Sequence, residues 1–252
     1  MADAKALKEE LFSLLKSKGA ALVGAGSLEG ITLNEGMFPD DNARLLRQAF
    51  EEKKLKIGVS VAVPVPASIV KDLKTAPTKE YRDAYFALNH ELDEIVKAGE
   101  NFLCTKGFLA FANSTDRVHK NEDNRTPLPH KTVATRAGIG WIGKNCLLVT
   151  PQYGCAVRIS SLLTNAPLPL NEPIETSRCG SCRRCVEACP AGALKGTLWK
   201  EGVERAAIFD WPKCRQKQLE RMIAATGIHQ ALCGLCFAVC PFTQKYLQQN
   251  RK

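Results

Sequence analysis

Apolar residues open the chain at helical spacing. Leu7, Leu11, Leu14 and Leu15 predict a helix over residues 4–18, stopped by Gly19. The next run, AALVGAG (20–26), is short and unbroken and predicts a buried strand. Residues 27–42 carry no pattern and read as loop, and 43–54 return to helix. KIGVSVAVPVP (56–66) predicts a second strand, ended by its prolines. From Thr78, the positions Tyr81, Tyr85, Leu88, Leu92, Ile95 and Phe102 step by threes and fours, with one seven-residue step. They predict a long amphipathic helix with Gly107 near its end. FLAFAN (108–113) predicts a third strand. This alternation of helix and strand implies an α/β layer.

Residues 113–129 show no period and read as a long loop, a feature often tied to function. HKTVATRAG (130–138) predicts a short helix ended by glycine. CLLVT (146–150) and CAVRISSLLT (155–164) predict strands joined as a hairpin by a PQYG turn. NAPLPLNEP (165–173) is a proline-rich linker, and the domain boundary is placed there. Residues 1–165 then form an α/β cofactor and substrate domain, and 166–252 a domain organised by cysteine.

Composition sharpens this picture at one point. The chain has 252 residues, 45% hydrophobic and 24% charged, which excludes a disordered chain, a collagen-like fibre and a coiled-coil rod. A chain of this size needs no disulfide staples, yet it carries 11 Cys against 3 Met and 4 His. The charged N-terminus has no apolar core of a signal peptide, and no apolar run approaches the ~18–20 residues of a membrane span. The expected location is the cytoplasm, with no membrane partner. Thiols stay reduced there, so the cysteines point to metal or redox chemistry. The net charge of +9 fits a nucleic-acid or acidic redox partner, or a basic surface offsetting negative charge inside. The absence of a long Lys/Arg block favours the last of these.

The cysteines fall into two related segments. The first is Cys179-x2-Cys182-x2-Cys185-x3-Cys189-Pro190. The second is Cys233-x2-Cys236-x3-Cys240-Pro241, with Cys214 standing upstream across an 18-residue insertion. Three cysteines at steps of three let one turn of chain wrap three corners of an iron–sulfur cube, while the fourth ligates the other cluster. In that bacterial two-cluster pattern Cys179, Cys182 and Cys185 pair with Cys240, and Cys189 joins Cys214, Cys233 and Cys236. With about −2 for each oxidised cluster unit, the holoprotein would stand near +5. Zinc ribbons use paired C-x2-C and do not favour this spacing. RQKQLERMIAATG, within the insertion, predicts a helix with Leu219, Met222 and Ile223 on one face. Cys104, Cys146 and Cys155 remain and read as structural, Cys104 as a buried small hydrophobe.

RAGIGWIGKN (136–145) holds Gly138-x-Gly140-x2-Gly143 and Gly138-x4-Gly143-Lys144, which imitate nucleotide-binding motifs. Both motifs require a strand before the glycines and a helix after, and the order here is reversed; Asn145 also replaces the hydroxyl residue of a P-loop. The glycines instead suit close approach of the backbone to a bulky flat group, with Trp141 and Lys144 beside it. The competing reading is a tight turn with Trp141 in the core.

RAGIGWIGKNCLLVT, LLTNAPLPL, CGSCRRCVEACPAGAL and CGLCFAVCPF occur here in the order found in the epoxyqueuosine reductases, and the chain resembles that family most strongly over about residues 124–245. Those are cobalamin-dependent enzymes with two 4Fe–4S clusters that finish queuosine in tRNA, and their core resembles the reductive dehalogenases. The resemblance implies a cobalamin-binding α/β layer followed by a bacterial-ferredoxin-like domain. It implies cobalamin contacts from Gly138, Gly140, Trp141, Gly143 and Lys144, with His130 and His119 the nearest histidines. The family places an acidic proton donor ahead of the glycine motif; counted back from Trp141 that position is Asn124, with Asp123 beside it, and these two are the candidate catalytic residues. The family's C-terminal helical-repeat region, which helps hold tRNA, has no counterpart in the sequence, so tRNA is not an expected partner.

Three functions compete. In the first, two clusters pass single electrons to a cobalamin in the cleft between the domains, and the cobalamin reduces a small-molecule substrate. In the second, the protein is an electron carrier that reduces a partner protein's corrinoid. In the third, a cluster reduces the substrate directly. Each requires an external low-potential donor such as a ferredoxin or flavodoxin.

Overall fold

The N-terminal stripe forms α1 (Ala4–Ser17), which buries Leu7, Leu11 and Leu15 and leaves Leu14 half-buried. In the computed structural model, which describes residues 4–34 and 41–250, β1 (Leu22–Ser27) follows it. Residues 28–34 of the predicted loop are neither helix nor strand, and 35–40 lie outside the described residues. The helix predicted over 43–54 is α2 (Asp41–Arg47), continued by a π-helical stretch over Gln48–Glu52. The strand β2 (Ile57–Pro64) is buried at every position but its two ends, as an unbroken apolar run requires. Pro66 then starts a short helix that the pattern does not predict, α3 (Ala67–Asp72). The long amphipathic helix is α4 (Lys79–Thr105), followed by β3 (Ala110–Ala112) and α5 (His130–Arg136). Three strands come next: β4 (Trp141–Ile142), β5 (Leu148–Val149) and β6 (Val157–Thr164). The cysteine-rich part holds α6 (Arg184–Glu187), α7 (Arg205–Ile208), α8 (Trp211–Thr226), α9 (Leu235–Ala238) and α10 (Pro241–Gln249).

These elements sort into two compact units. The first draws on the chain as far as Val63, on Asn89–Ile139 and on Arg158–Ile174. Its sheet has the order β1-β2-β6-β3. β1 runs antiparallel to β2 with Leu22 opposite Ala62, and β3 antiparallel to β6 with Ala110 opposite Thr164. Gly99 lets α4 lie close to Leu162 of β6 and to Leu15 of α1. The long loop 113–129 is pinned to α4: Asp93 accepts from Thr115 N at 2.9 Å, Glu100 takes both bonds of Arg117 at 2.7 and 2.8 Å, and Lys97 pairs with Asp116 at 3.0 Å. The proline-rich stretch lies along β1, where Asn171 N donates to Ala25 O at 2.7 Å and Ala25 N to Asn171 Oδ1 at 3.1 Å.

The second unit draws on Pro64–Leu88, Gly140–Val157 and the chain from Glu175. Its β4 and β5 pair antiparallel, with Trp141 opposite Val149. The hairpin predicted across the PQYG turn is therefore not formed: β5 has β4 as its partner, and β6 belongs to the four-stranded sheet. The turn closes on itself instead, through Thr150 N to Gly154 O at 2.8 Å and Gly154 N to Thr150 O at 2.9 Å. α10 is tied to the segment before α3 by Tyr246, whose hydroxyl donates to Val65 O at 3.1 Å. α8 starts on an Asp210 cap that accepts from Lys213 N, and ends on Gly227 in the left-handed region at φ 72°. Of its predicted apolar face, Met222 is buried and Ile223 is exposed. Among the described residues, no helix is long and apolar enough to cross a membrane.

Cys104 is exposed, contrary to its expected burial. Its neighbour Leu103 takes the core position, and one helical step of about 100° carries the next side chain out. The glycines of β1 also have a local purpose. A Cβ on Gly24 would strike Ala137 O, and one on Gly26 would strike Arg136 O, so both exist to let the end of α5 lie on the strand. Gly26→Ala should therefore lower the urea midpoint by the equivalent of about 1–3 kcal/mol. An unchanged midpoint would show that α5 is not held against β1.

Candidate metal centre

The two cysteine segments fold alike because their local sequences are alike. Each begins Cys-Gly-x-Cys, and both glycines adopt positive φ, 52° at Gly180 and 79° at Gly234. A left-handed residue after the first cysteine turns the chain so that the second follows on the same side. Each segment also holds a four-residue helix: α6 carries the third cysteine of the first, Cys185, and α9 the second cysteine of the second, Cys236. Cys240 caps α10, with Pro241 in the first helical position, where a missing N–H costs nothing.

The folding brings Cys179, Cys182, Cys185 and Cys240 around one cavity, whose wall is completed by Lys144, Asn145, Val149, Pro241 and Phe242. Burial pushes the Cys185 thiol up to about 11, and the sulfurs of Cys179, Cys240 and Cys182 push it the same way. Burial pushes Cys214 up to about 12, helped by Cys189 and Cys233. Cys236 is also raised by burial and then by Cys233 and Cys214, with smaller contributions from Cys185 and Cys189. Cys214 thus lies near Cys189 and Cys233, and Cys236 near Cys233, Cys214, Cys185 and Cys189. Cys240 goes the other way, down to about 6, because the Cys155 thiol donates to it and the N–H groups of Thr243 and Phe242 point at its sulfur.

The donor set suits a group larger than one ion. All eleven cysteines are free thiols. Among the described residues, no three His, Cys, Asp or Glu side chains converge tightly enough to hold a single metal ion. Four thiolates on zinc, each at ~2.3 Å, would stand within about 4 Å of one another.

The leftover buried cysteines border these sets. Cys155 accepts from Asn145 Nδ2 at 3.2 Å, and its own N–H donates to Thr243 Oγ1 at 3.0 Å. Cys146 is not in a strand; it sits at φ 59° in the turn where its N–H donates to Gly143 O, and its sulfur acts on Cys214. Sequence reasoning missed both roles, because a lone cysteine in an apolar run carries no spacing signal.

The glycine segment is filled by protein. A Cβ on Gly138 would meet Glu172 O at 2.6 Å, one on Gly140 would meet Val149 O at 2.5 Å, and one on Gly143 would meet Asn145 Oδ1 at 2.7 Å. Trp141 is 1% exposed and lies edge-on to Phe242 at 5.0 Å. The Lys144 ammonium donates to Gly180 O at 2.7 Å and Cys182 O at 3.0 Å.

The remaining candidates lie in the first unit. Asn124 is exposed at φ 54° in a turn, donating its N–H to Asn121 O at 2.9 Å, and Asp123 is exposed beside it. Asparagine is among the few residues that tolerate this conformation, so the turn itself accounts for it. His130 Nδ1 meets Ser161 Oγ at 2.9 Å. Burial lowers its pKa to about 4, with Arg158 and Lys120 adding to the effect. His119 is exposed.

A model of the 4Fe-4S double cluster binding domain matches residues 178–243. Epoxyqueuosine reductase of Listeria monocytogenes is 29% identical over 257 aligned positions, covering 96% of this chain and 66% of that protein. The Bacillus subtilis enzyme of the same name is 31% identical over 202, covering 75% and 51%. The chain thus spans about two thirds or less of these curated relatives. Among solved structures, an epoxyqueuosine reductase aligns at TM-score 0.59 with 26% identity, covering 95% of this chain and 66% of that one. The catabolic reductive dehalogenase NpRdhA aligns at 0.70 with 17% identity, covering 96% and 32%, and shares the fold.

The half-buried histidine gives a pH test. A proton is bound more weakly in the fold, at about 4, than at the ordinary 6.5, so the unfolded chain takes it up first. Stability present above pH 6.5 should be lost as pH falls towards 4. Urea denaturation of His130→Gln should show a flatter pH dependence than wild type across that window. An identical slope would mean that His130 does not stay neutral.

Proposed function

We propose that this chain, a relative of the epoxyqueuosine reductases, is an iron–sulfur oxidoreductase whose two 4Fe–4S clusters hand single electrons to a cobalamin that reduces a substrate. The observation that carries the reading is the grouping of eight cysteines into two sets across the sequence. On this reading Cys179, Cys182, Cys185 and Cys240, which line one cavity, hold one cluster, and Cys189, Cys214, Cys233 and Cys236 hold the other. When bound, the clusters supply reversible one-electron transfer and the cobalamin supplies reductive chemistry at cobalt.

The chain's own part is to hold and shield. Thiols raised by burial become ligands only where positive charge offsets their ionisation, which the iron of a cluster provides. Cys240 is already poised as a thiolate by the Cys155 donor and the α10 amides. Of the candidate catalytic pair, only Asp123 can deliver a proton, since Asn124 has no titrating group. The scattered positive charge does not favour tRNA as a strong partner and suits a small acidic donor of the ferredoxin or flavodoxin type.

A second reading has one observation in its favour. Gly138, Gly140 and Gly143 each face other parts of the chain, and the Lys144 ammonium donates to Gly180 O and Cys182 O, so these four residues are occupied within the protein. On this reading the clusters deliver electrons to a corrinoid held by a partner protein.

Anaerobically purified protein should carry about eight iron and eight sulfide per chain. Cys240→Ala should lose the cluster of Cys179, Cys182 and Cys185 and keep the other. Zinc in place of iron would overturn the cluster reading, and loss of only the Cys233 and Cys236 cluster would overturn the crossed ligation. A cobalamin difference spectrum separates the two functions: its presence supports the reductase, its absence the carrier.

A further inference from the structure

The turn Gly143–Asn145 touches both cysteine segments. Lys144 donates to Gly180 O and Cys182 O, the carbonyls of the first segment's opening turn. Asn145 Nδ2 reaches Cys155 Sγ at 3.2 Å and, at the long distance of 3.5 Å, Cys236 O of the second segment. Its orientation is fixed by Leu147 N, which donates to Asn145 Oδ1 at 3.2 Å. Lys144 and Asn145 are each 5% exposed.

A buried ammonium requires a counter-charge as well as acceptors, because neutral carbonyls do not repay the loss of water around a full charge. Among the described residues, no carboxylate lies within ion-pair distance of Lys144. What does lie there is the cavity lined by Cys179, Cys182, Cys185 and Cys240. Four thiolates around an iron–sulfur cube would be a net anion, and in this cavity they would stand where the missing charge must be.

We propose that Lys144 is a positioning residue of the first cluster, serving both as its counter-ion and as the pin that fixes the Cys179–Cys182 turn. The inference rests on the reading that these four cysteines hold a 4Fe–4S cluster. One electron entering that cluster adds one negative charge beside the ammonium, so Lys144 favours the reduced state. The motif that imitates a P-loop lysine would thus serve a cluster, not a phosphate, and its ammonium would not be available to a cofactor's propionamide.

The test compares Lys144→Gln and Lys144→Arg with wild type, all purified without oxygen. Iron and sulfide are counted first; a wild type without about eight iron fails the cluster reading itself, before either variant is judged. Reduction is then titrated potentiometrically and followed by electron paramagnetic resonance. With eight iron retained, Lys144→Gln should lower one midpoint by at least tenfold in the equilibrium constant for reduction, about 59 mV for a one-electron couple, and move the other much less. Lys144→Arg, which keeps the charge, should stay within about threefold of wild type. If Lys144→Gln instead loses four iron while Lys144→Arg keeps eight, the pin is supported. The inference is overturned by two unmoved midpoints, by equal shifts in both, or by equal damage in the two variants.

Discussion

Eight cysteines gathered within some sixty residues must ionise to act as ligands, and at Cys185, Cys214 and Cys236 burial works against that. The second unit can be understood from this constraint. Left-handed glycines at 180 and 234 turn the chain tightly enough to bring successive sulfurs to one side. Helices of only four residues carry Cys185 in the first segment and Cys236 in the second, and each stops before the segment's last cysteine. The α10 amides and the Cys155 thiol supply positive ends of dipoles where Cys240 stands alone in sequence from its three companions. Cys240 is thereby favoured as a thiolate, while Cys185 and Cys214 are pushed towards the thiol.

Residues well ahead of the cysteines serve the same end. The short β4–β5 pair holds Trp141 against Phe242, which itself lines the cavity, and the following turn presents Lys144 and Asn145. Gly140 and Gly143 have no side chain because Val149 and Asn145 occupy that space. The glycine motif is thus explained by protein packing on protein. Its likeness to a cofactor cradle comes from the shared need for close backbone approach, which sequence alone cannot assign to one kind of neighbour.

Periodic features were legible and relational ones were not. The stripe of α1, the long α4, the unbroken apolar β2 and the spacing of the cysteine segments each carry their own repeat, and each appears where the repeat puts it. The hairpin failed because strand pairing is decided by tertiary partners: CLLVT and CAVRISSLLT have strand character, but β5 found β4 across a turn that contains Lys144. Cys104 failed because a single apolar side chain near a helix end does not say which way it faces. The neighbours Cys146 and Cys155 were read as packing, and only the folded chain brings them beside Cys214 and Cys240.

The arrangement of ligands has a last consequence for cooperativity. In the proposed crossed pattern α6 would carry one ligand of the first cluster and lead into Cys189 of the second, while α9 would carry one ligand of the second and lead into Cys240 of the first. Cys236 already feels both Cys185 and Cys189. Neither turn can open without releasing a ligand of the cluster that the other turn holds. Metal binding of this kind is also folding free energy, so under the proposed ligation the two clusters and the chain around them would form a single cooperative element. Asn145 reinforces this by reaching Cys236 O from the residue next to Lys144, which ties the opposite turn. Two clusters so held would also keep the path between them constant, as the proposed one-electron transfer through both requires.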